Sequence, residues 1–468
     1  MLSSDRGKDG DRGSGSVDRT AMPGEMSAGP ARAPEIPSLD RRRLLRWAGT
    51  AAVAAPAAGL LAACGGSSSS SGGARHIRIG YVLPRTGELD AYSSVDAFVV
   101  QRMRTVLADG IKVGGRTYPV DIVVRDSQSD RHQAGIATTD LIYKDNVDVV
   151  LVGGTSDTAI PVADQCEINQ VPCISSVVPW QAWWYGRGGN TNMPFHWTYH
   201  FYPGVDDIVA AYVAMWSQLG ITKVGLVYTD DDDGRAFANK DFGIPRAQDY
   251  GFEVVSPGNG FVSGTSDFGQ YRSAFVSKGV EAVSGILRTT DFYNFQRAVR
   301  TDGFSPKALT FSKALDFPED VLKFGSTGNG LTTEIGWSPS HPYRSSLENR
   351  SAKDLANEFI RTTGLGWTPV LGFVNALFEV AVKALGSAES LEREAIVAAI
   401  REVDAQTIVG PVAFGTPSNV PKNVARVAAV GGQWAQINNE LTLRVVNNSR
   451  NSRVPADGQL QDLPSGLA

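Results

Sequence analysis

Val147-Asp148-Val149-Val150-Leu151-Val152-Gly153-Gly154-Thr155-Ser156-Asp157-Thr158 is the run on which the fold turns. Its first half is almost continuously apolar, as a strand buried on both faces requires. Its second half supplies glycines for a tight turn and then hydroxyls at the start of a helix expected over Thr158–Ile168. Backbone N–H groups and hydroxyls at such a turn could hold an anion, although the same residues also serve as plain helix caps. Upstream, His76–Leu83 alternates and stops at Pro84, Ala97–Leu107 has helical spacing, Val120–Val124 is a second strand and Ala134–Tyr143 a second helix. Downstream lies a fourth strand, Pro172–Ser176. This βαβα rhythm predicts a parallel sheet covered on both faces.

The rhythm then restarts. Helices are expected at Asp206–Leu219, within Arg235–Tyr250, and at Phe268–Lys278 and Phe292–Thr301. Strands are expected at Lys223–Tyr228, Phe252–Ser256, Ala282–Ile286 and Ala308–Ser312. The fold class is therefore α/β, with two Rossmann-like lobes in tandem. The later helices Lys353–Thr362, Leu371–Leu385 and Leu391–Glu402 lack strands for a third domain, so they should complete the first lobe. The chain must then cross between the lobes more than once.

The 468 residues are 42% hydrophobic and 20% charged, which excludes wholesale disorder and a fibrous repeat. A net charge of −5 argues against a nucleic-acid surface. Three cysteines are too few for a disulfide scaffold, and their spacing fits no zinc site. Residues 1–40, rich in Gly, Ser, Asp, Arg and Pro, read as disordered. Asp40-Arg41-Arg42-Arg43-Leu44-Leu45-Arg46 then leads into the apolar, uncharged stretch Trp47–Ala63, too weak and too short for a membrane span. The arginine pair resembles a twin-arginine export signal, and Leu61-Ala62-Ala63-Cys64 resembles a bacterial lipobox, in which the cysteine sulfur takes a diacylglycerol. The Gly/Ser run after Cys64 reads as a flexible tether. Cys166 and Cys173 could pair after export, or serve as small core hydrophobes.

Catalytic motifs are scarce. There is no G-x-S-x-G, P-loop or H-E-x-x-H pattern. His196 and His200 have strand spacing for a zinc pair, but an inter-lobe connector is the better reading. Asp230-Asp231-Asp232-Asp233-Gly234 lacks the first and twelfth ligands of a calcium loop and reads as a solvated βα loop. No cofactor, metal or catalytic residue is expected, and no enzyme activity with them.

The run Gly80-Tyr81-Val82-Leu83-Pro84-Arg85-Thr86-Gly87 resembles the opening of the type I periplasmic binding proteins of the leucine/isoleucine/valine family. So do Asp109–Gly115, Asp126–Asp130 and Gly153–Thr158, and Gly410-Pro411 falls where that family has its last crossing. The resemblance spans residues 76–435 and implies two α/β lobes joined by a three-segment hinge, with a small-molecule ligand between them. It also implies delivery to the transmembrane subunits of an ABC permease. The expected boundaries are 76–199 and 335–408 for lobe 1, 200–334 and 409–446 for lobe 2, and 447–468 for a disordered tail. The signal is placed at 41–63 and the lipidated Cys64 with its tether at 64–75. A monomer is expected, exported and held on the outer face of the membrane through Cys64, with no nucleic-acid partner.

The resemblance implies that a ligand carboxylate meets Thr155-Ser156 and the segment Val177-Val178-Pro179, and that Tyr92 covers the ligand. On lobe 2 it implies cleft positions near Asp233 and after Ile286. Aligned this way, the family's acidic partner for a ligand ammonium falls at Lys313, a family aromatic at Arg288, and a family threonine at Pro179, which has neither N–H nor hydroxyl. Two cations facing a cleft would suit a carboxylate better than a plain α-amino acid. Trp180, Trp183 and Trp184 lie at the expected cleft edge, as an apolar or aromatic wall for the ligand, a local core plug or a permease-docking surface. The preferred ligand is thus a small carboxylate with an apolar or aromatic part. A branched-chain amino acid or amide binder of the same fold, and a sensing module uncoupled from transport, are the alternatives.

Overall fold

Val149–Val152, the centre of the run quoted first, is a strand with every residue buried. The computed structural model describes residues 75–299, 304–438 and 440–464. The expectations for the signal, for Cys64 and for most of the tether lie outside these residues. In chain order, the first segment holds β1 (Ile77–Leu83), α1 (Ala91–Val106), β2 (Ile111–Val113), β3 (Arg116–Tyr118), β4 (Val120–Asp126), α2 (Arg131–Tyr143), β5 (Val149–Val152), α3 (Ser156–Ile168), β6 (Cys173–Ser176), α4 (Trp180–Gly186) and β7 (Thr198–Tyr202). There follow α5 (Val205–Gln218), β8 (Lys223–Tyr228), α6 (Asp232–Phe237), β9 (Glu253–Val255), α7 (Gly269–Lys278), β10 (Ala282–Leu287), α8 (Thr289–Val299), β11 (Ala308–Lys313), α9 (Pro318–Leu322) and β12 (Thr332–Ile335). The last segment holds α10 (Ala352–Thr363), α11 (Pro369–Ser387), α12 (Arg393–Arg401), β13 (Asp404–Thr407), β14 (Gly410–Ala413), β15 (Val424–Arg426), β16 (Val430–Ile437) and β17 (Glu440–Asn447).

Two sheets carry the two lobes. Lobe 1 has the order β15-β7-β6-β5-β1-β4, parallel throughout. Lobe 2 has the order β17-β16-β12-β11-β10-β8-β9, parallel from β9 to β12 and closed by the antiparallel pair β16 and β17. The fully buried strands β5, β6 and β10 sit centrally, with helices on both faces. Helix α11 returns to lobe 1 and packs on α1, α12, β5 and β6, where Phe378 stacks on Tyr81 at 5.6 Å. Its 19 residues are long and apolar enough to cross a membrane, but 78% of its most apolar window is buried, as in the core helix of a globular lobe.

The chain crosses between lobes after β7, between β12 and α10, and between β15 and β16. The third crossing differs from the expectation that lobe 2 resumes at residue 409. Strand β15 instead pairs with β7 in lobe 1, and the Asn423 side-chain amide donates to the carbonyls of Phe195 and Thr198. The hairpin β13–β14 also stays with lobe 1, packed on α11. The tail expected to be disordered is ordered to residue 464. Val454 is buried, Asp457 accepts the Val445 N–H, and the Gln433 amide donates to the Gln461 carbonyl, so the tail straps the antiparallel edge of lobe 2.

Candidate functional site

In a parallel sheet, ligands gather beyond the carboxyl ends of the strands, where loops are free of sheet hydrogen bonds. On lobe 1, β5 runs into Gly153-Gly154. Gly154 has φ +110°, a conformation that excludes most other residues, and the turn delivers Thr155 to the N-cap of α3. An N-cap threonine ordinarily spends its hydroxyl on its own helix. Thr155 does not: its hydroxyl and those of Ser156 and Thr158 are buried with no partner in the protein. A buried hydroxyl without a hydrogen bond costs about 1–3 kcal/mol, so three side by side mark a place built for another acceptor or donor. After β6, Val177 has φ +69°, a strained conformation for a β-branched residue and one that clusters at functional sites.

Lobe 2 mirrors this arrangement. Strand β8 leads to Asp231, whose carboxylate caps the Gly234 N–H at 2.7 Å. Asp233 is buried; one carboxylate oxygen accepts the Lys313 ammonium at 2.8 Å and the other has no partner. Lys313 ends β11 with φ +69° and is itself buried. Burial alone would depress its pKa, but Asp233, Asp231 and Asp157 outweigh that and raise it well above an ordinary lysine. Burial, only partly offset by Lys313, lifts Asp233 above the usual carboxylate range.

Arg288, just past β10, reaches across to lobe 1, donating to Asp157 at 2.8 Å and to Glu88 at 2.8 Å. Arg131 of lobe 1 answers with Asp232 of lobe 2 at 2.9 Å. Burial would raise the Asp157 carboxyl, but Lys313, Arg288 and Arg131 together hold it below its ordinary value. These pairs bring the Thr155-Ser156-Asp157 turn against Asp233 and Lys313, so the lobes are closed on one another. Tyr92 of lobe 1 meets Phe317 of lobe 2 edge-on, with ring centroids 4.7 Å apart.

A cavity of about 530 Å³ opens beside this contact, lined by Tyr92, Arg288, Tyr293, Lys313, Phe317 and Phe324 among others. The structure therefore places Tyr92, Arg288 and Lys313 on its wall. Thr155, Ser156 and Asp233 are joined to it through the Arg288–Asp157 and Lys313–Asp233 pairs. Val177, Pro179 and Trp180 are buried and do not line it. Trp183 and Trp184 are core residues: Trp183 stacks on His200 at 4.9 Å beneath the Arg187 guanidinium, and Trp184 packs edge-on to Phe195. Helix α4 packs on α6 of lobe 2, and Tyr185 stacks on Phe242 at 5.5 Å, so the tryptophan-rich helix serves lobe contact. His200 spends one ring nitrogen on Ser175 and the other on the Val178 carbonyl, and burial lowers it to about 3, which leaves no zinc pair with His196. Among the described residues no metal-binding group of three side chains occurs.

The two cations that suggested an anionic ligand are both occupied by acids of the protein, so the cleft presents no surplus of positive charge. Asp316, which the sequence reading missed, reinforces this. It is buried beyond Lys313; burial and Glu334 push its carboxyl well above the ordinary value, and its field reaches Tyr92 and Tyr202. The signal was present in Lys313-Ala314-Leu315-Asp316-Phe317, an acid three residues past the end of a strand. An alignment that set the family's acid on Lys313 passed over it.

Comparison with known proteins agrees with this geometry. Residues 76–433 match the family model described as periplasmic binding protein. A leucine binding protein from Thermotoga maritima has the same fold at 19% identity, covering 78% of this chain and 97% of its own, with a TM-score of 0.65. A branched-chain amino acid transporter substrate binding protein from Streptococcus pneumoniae, solved with isoleucine, is 16% identical over 80% of this chain and 100% of its own, with a TM-score of 0.62. A solute binding protein of an ABC transporter from Rhodopseudomonas palustris, solved with 3,4-dihydroxybenzoic acid, is 15% identical over 83% and 99%, with a TM-score of 0.62. With two lobes, three crossings and a lined cleft between them, the chain belongs to the periplasmic binding protein family.

Proposed function

We propose that this chain is the extracytoplasmic substrate-binding component of an ABC importer and takes a small organic ligand between its lobes. The family carries the extracytoplasmic setting. The export signal and the Leu61-Ala62-Ala63-Cys64 lipobox support anchoring through Cys64, and a Cys64→Ser chain should leave the membrane fraction. The ligand presents a carboxylate or equivalent acceptor to Thr155, Ser156 and the start of α3, a hydrogen-bond donor to Asp233, and an apolar or aromatic body to Tyr92.

The observation that carries this reading is the set of buried, unpartnered polar atoms on both lobes: the Thr155 and Ser156 hydroxyls and the second Asp233 oxygen. An acceptor and a donor on one ligand would satisfy both sides at once, whereas a simple anion would leave Asp233 unmatched. Because Arg288 and Lys313 are held by acids, they act as a frame for the site more than as free anion receptors. Calorimetry of the mature chain with leucine, leucinamide and 3,4-dihydroxybenzoate tests this. At least one compound carrying both groups should bind, and Ser156→Ala and Asp233→Asn should each weaken it about tenfold or more. Undiminished binding in both variants would overturn the assignment.

A further inference from the structure

With Cys64 assigned to the lipobox, Cys166 and Cys173 remain as a pair. They stand seven positions apart, one in the last turn of α3 and the other opening β6. Gln170 takes φ +57° and the Val171 N–H returns to the Cys166 carbonyl at 2.9 Å, so the chain doubles back and lays the start of β6 beside the end of α3. Pleating then aims Cys173 at the α3 side of the sheet and Ile174 at the opposite side, and the two residues belong to different core clusters accordingly. Cys166 and Cys173 are both fully buried, and the Cys166 thiol lies within hydrogen-bonding reach of Cys173. A cysteine that serves as a small core hydrophobe needs only apolar neighbours, whereas here the neighbour is a second thiol. The Arg187 guanidinium, held by Asp164 at 2.7 Å and by the Thr198 hydroxyl at 3.0 Å, extends its field to Cys166, and Thr198 is the register partner of Cys173. A cation beside a thiol favours the thiolate, the form that exchanges with disulfides.

We propose that Cys166 and Cys173 are joined by a disulfide in the exported protein, as a covalent clamp between α3 and β6. The inference rests on the extracytoplasmic setting, which supplies the oxidant: a disulfide-bearing thiol oxidant of that compartment. The thiolate of one cysteine attacks the oxidant's disulfide, forms a mixed disulfide and releases one sulfur of the oxidant. The other cysteine then displaces the second sulfur and closes the Cys166–Cys173 bond. The pair gives up two electrons and two protons, and the oxidant leaves as a dithiol. In the folded lobe neither cysteine is open to solvent, and burial pushes the Cys166 thiol well above its ordinary range. The bond therefore closes while the turn between α3 and β6 is open, and folding then seals it from reductants. The far end of α3 carries Thr155 and Ser156, and the far end of β6 leads to the strained Val177, so the clamp sets the base of both turns.

Mass spectrometry of the chain recovered from the envelope of expressing cells, quenched in acid and labelled with N-ethylmaleimide in denaturant, tests this. Trypsin releases both cysteines in one peptide, residues 145–187, because no Lys or Arg lies between its ends. That peptide should carry no label, weigh two hydrogen atoms less than the dithiol, and take up two labels after reduction. Two labels without reduction, or a bond from either cysteine to another thiol, overturns the proposal. Wild type in which a phosphine reductant has opened the bond should melt at least about 3 °C lower, from the freed loop, while Cys166→Ala/Cys173→Ala melts at the same temperature with and without the reductant. A fully reduced wild type that melts no lower overturns the clamp; if the double variant does not fold, the peptide mass still decides the pairing. Refolding the reduced chain in glutathione disulfide separates the pairing from the setting. A bond formed there by a chain that stays reduced in the cytosol of cells overturns the export reading and upholds the pairing, and free thiols in both settings overturn the pairing.

Discussion

Lys313→Met separates two roles for the most buried cation of the cleft. The lysine is enclosed, at 9% side-chain exposure, and among the described residues its ion-pair partner is Asp233, itself at 3%. Methionine keeps the length and the Cβ, so the left-handed backbone at φ +69° carries the same strain in both proteins. What is lost is the ammonium. Removing one partner of a buried pair costs about 3–5 kcal/mol when the other charge stays ionised. Asp233 has an escape, since it can take up a proton. From an ordinary carboxyl value of 3.8, holding that proton costs about 4 kcal/mol near pH 7 and about 1.5 kcal/mol near pH 5. The sign follows from linkage: the folded variant binds a proton that the unfolded chain has released, so the loss of stability shrinks as pH falls.

Urea unfolding of wild type and variant at the two pH values reads this directly. A loss of about 3–4 kcal/mol near pH 7 that falls by half or more near pH 5 is expected. A loss below about 1 kcal/mol, or one that is the same at both pH values, would refute the pairing as the main role of Lys313. Unchanged stability together with a thirtyfold fall in affinity for 3,4-dihydroxybenzoate would instead place the ammonium on the ligand.

Other perturbations read other parts of the site. Arg288→Ala removes the buried bond to Asp157 and the exposed one to Glu88; the latter contributes little, so affinity should fall roughly tenfold while small-angle scattering shows a larger unliganded radius. Trp183→Ala should cost about 3–5 kcal/mol in urea unfolding and move ligand affinity less than about twofold, whereas a selective loss of affinity would restore the tryptophan wall. Asp96, bonded to the Tyr81 hydroxyl at 2.5 Å, is raised by burial to about 7, so it holds a proton when folded that the unfolded chain loses above its ordinary 3.8. Stability should therefore decline as pH rises from about 4 to 7, and Asp96→Asn should flatten that part of the profile.

The parts of this molecule that could be read from the sequence are those whose cause is local. The apolar runs at Val149–Val152 and Ala282–Leu287 announce buried parallel strands because a strand covered on both faces has no polar side to show. The Gly-Gly turn announces Thr155 and Ser156 for the same reason, since only glycine takes φ +110° without strain. The third crossing was illegible: β15 is three residues long, and its allegiance to lobe 1 is decided by β7 and by Asn423 bonding to Phe195 and Thr198, more than two hundred positions away. Arg288 and Lys313 could be placed at the cleft through the family resemblance. Their partners Asp157, Glu88 and Asp233 lie 80 to 200 positions distant, and no local pattern says that a cation is already taken. Trp183 and Trp184 mislead for the converse reason, since their burial is arranged by His200, Arg187 and Phe195.

Because the charges of the cleft are spent on each other, closure and recognition draw on different physics. The Arg288 and Arg131 pairs join opposite lobes and are partly open to water, so they favour the closed form by Coulomb attraction that salt screens. The Thr155 and Ser156 hydroxyls, the free Asp233 oxygen and the rings of Tyr92, Phe317 and Phe324 are buried and act by hydrogen bonding and apolar contact, which salt hardly touches. A ligand shifts the lobes only by its differential affinity for the closed form, and here that difference must come from the second set. Raising sodium chloride from about 0.05 M to 1 M should therefore enlarge the unliganded scattering radius while the affinity of a bound ligand falls less than about threefold. An affinity that collapses in step with the screening would show that free charge, and not the unpartnered hydroxyls and rings, selects the substrate.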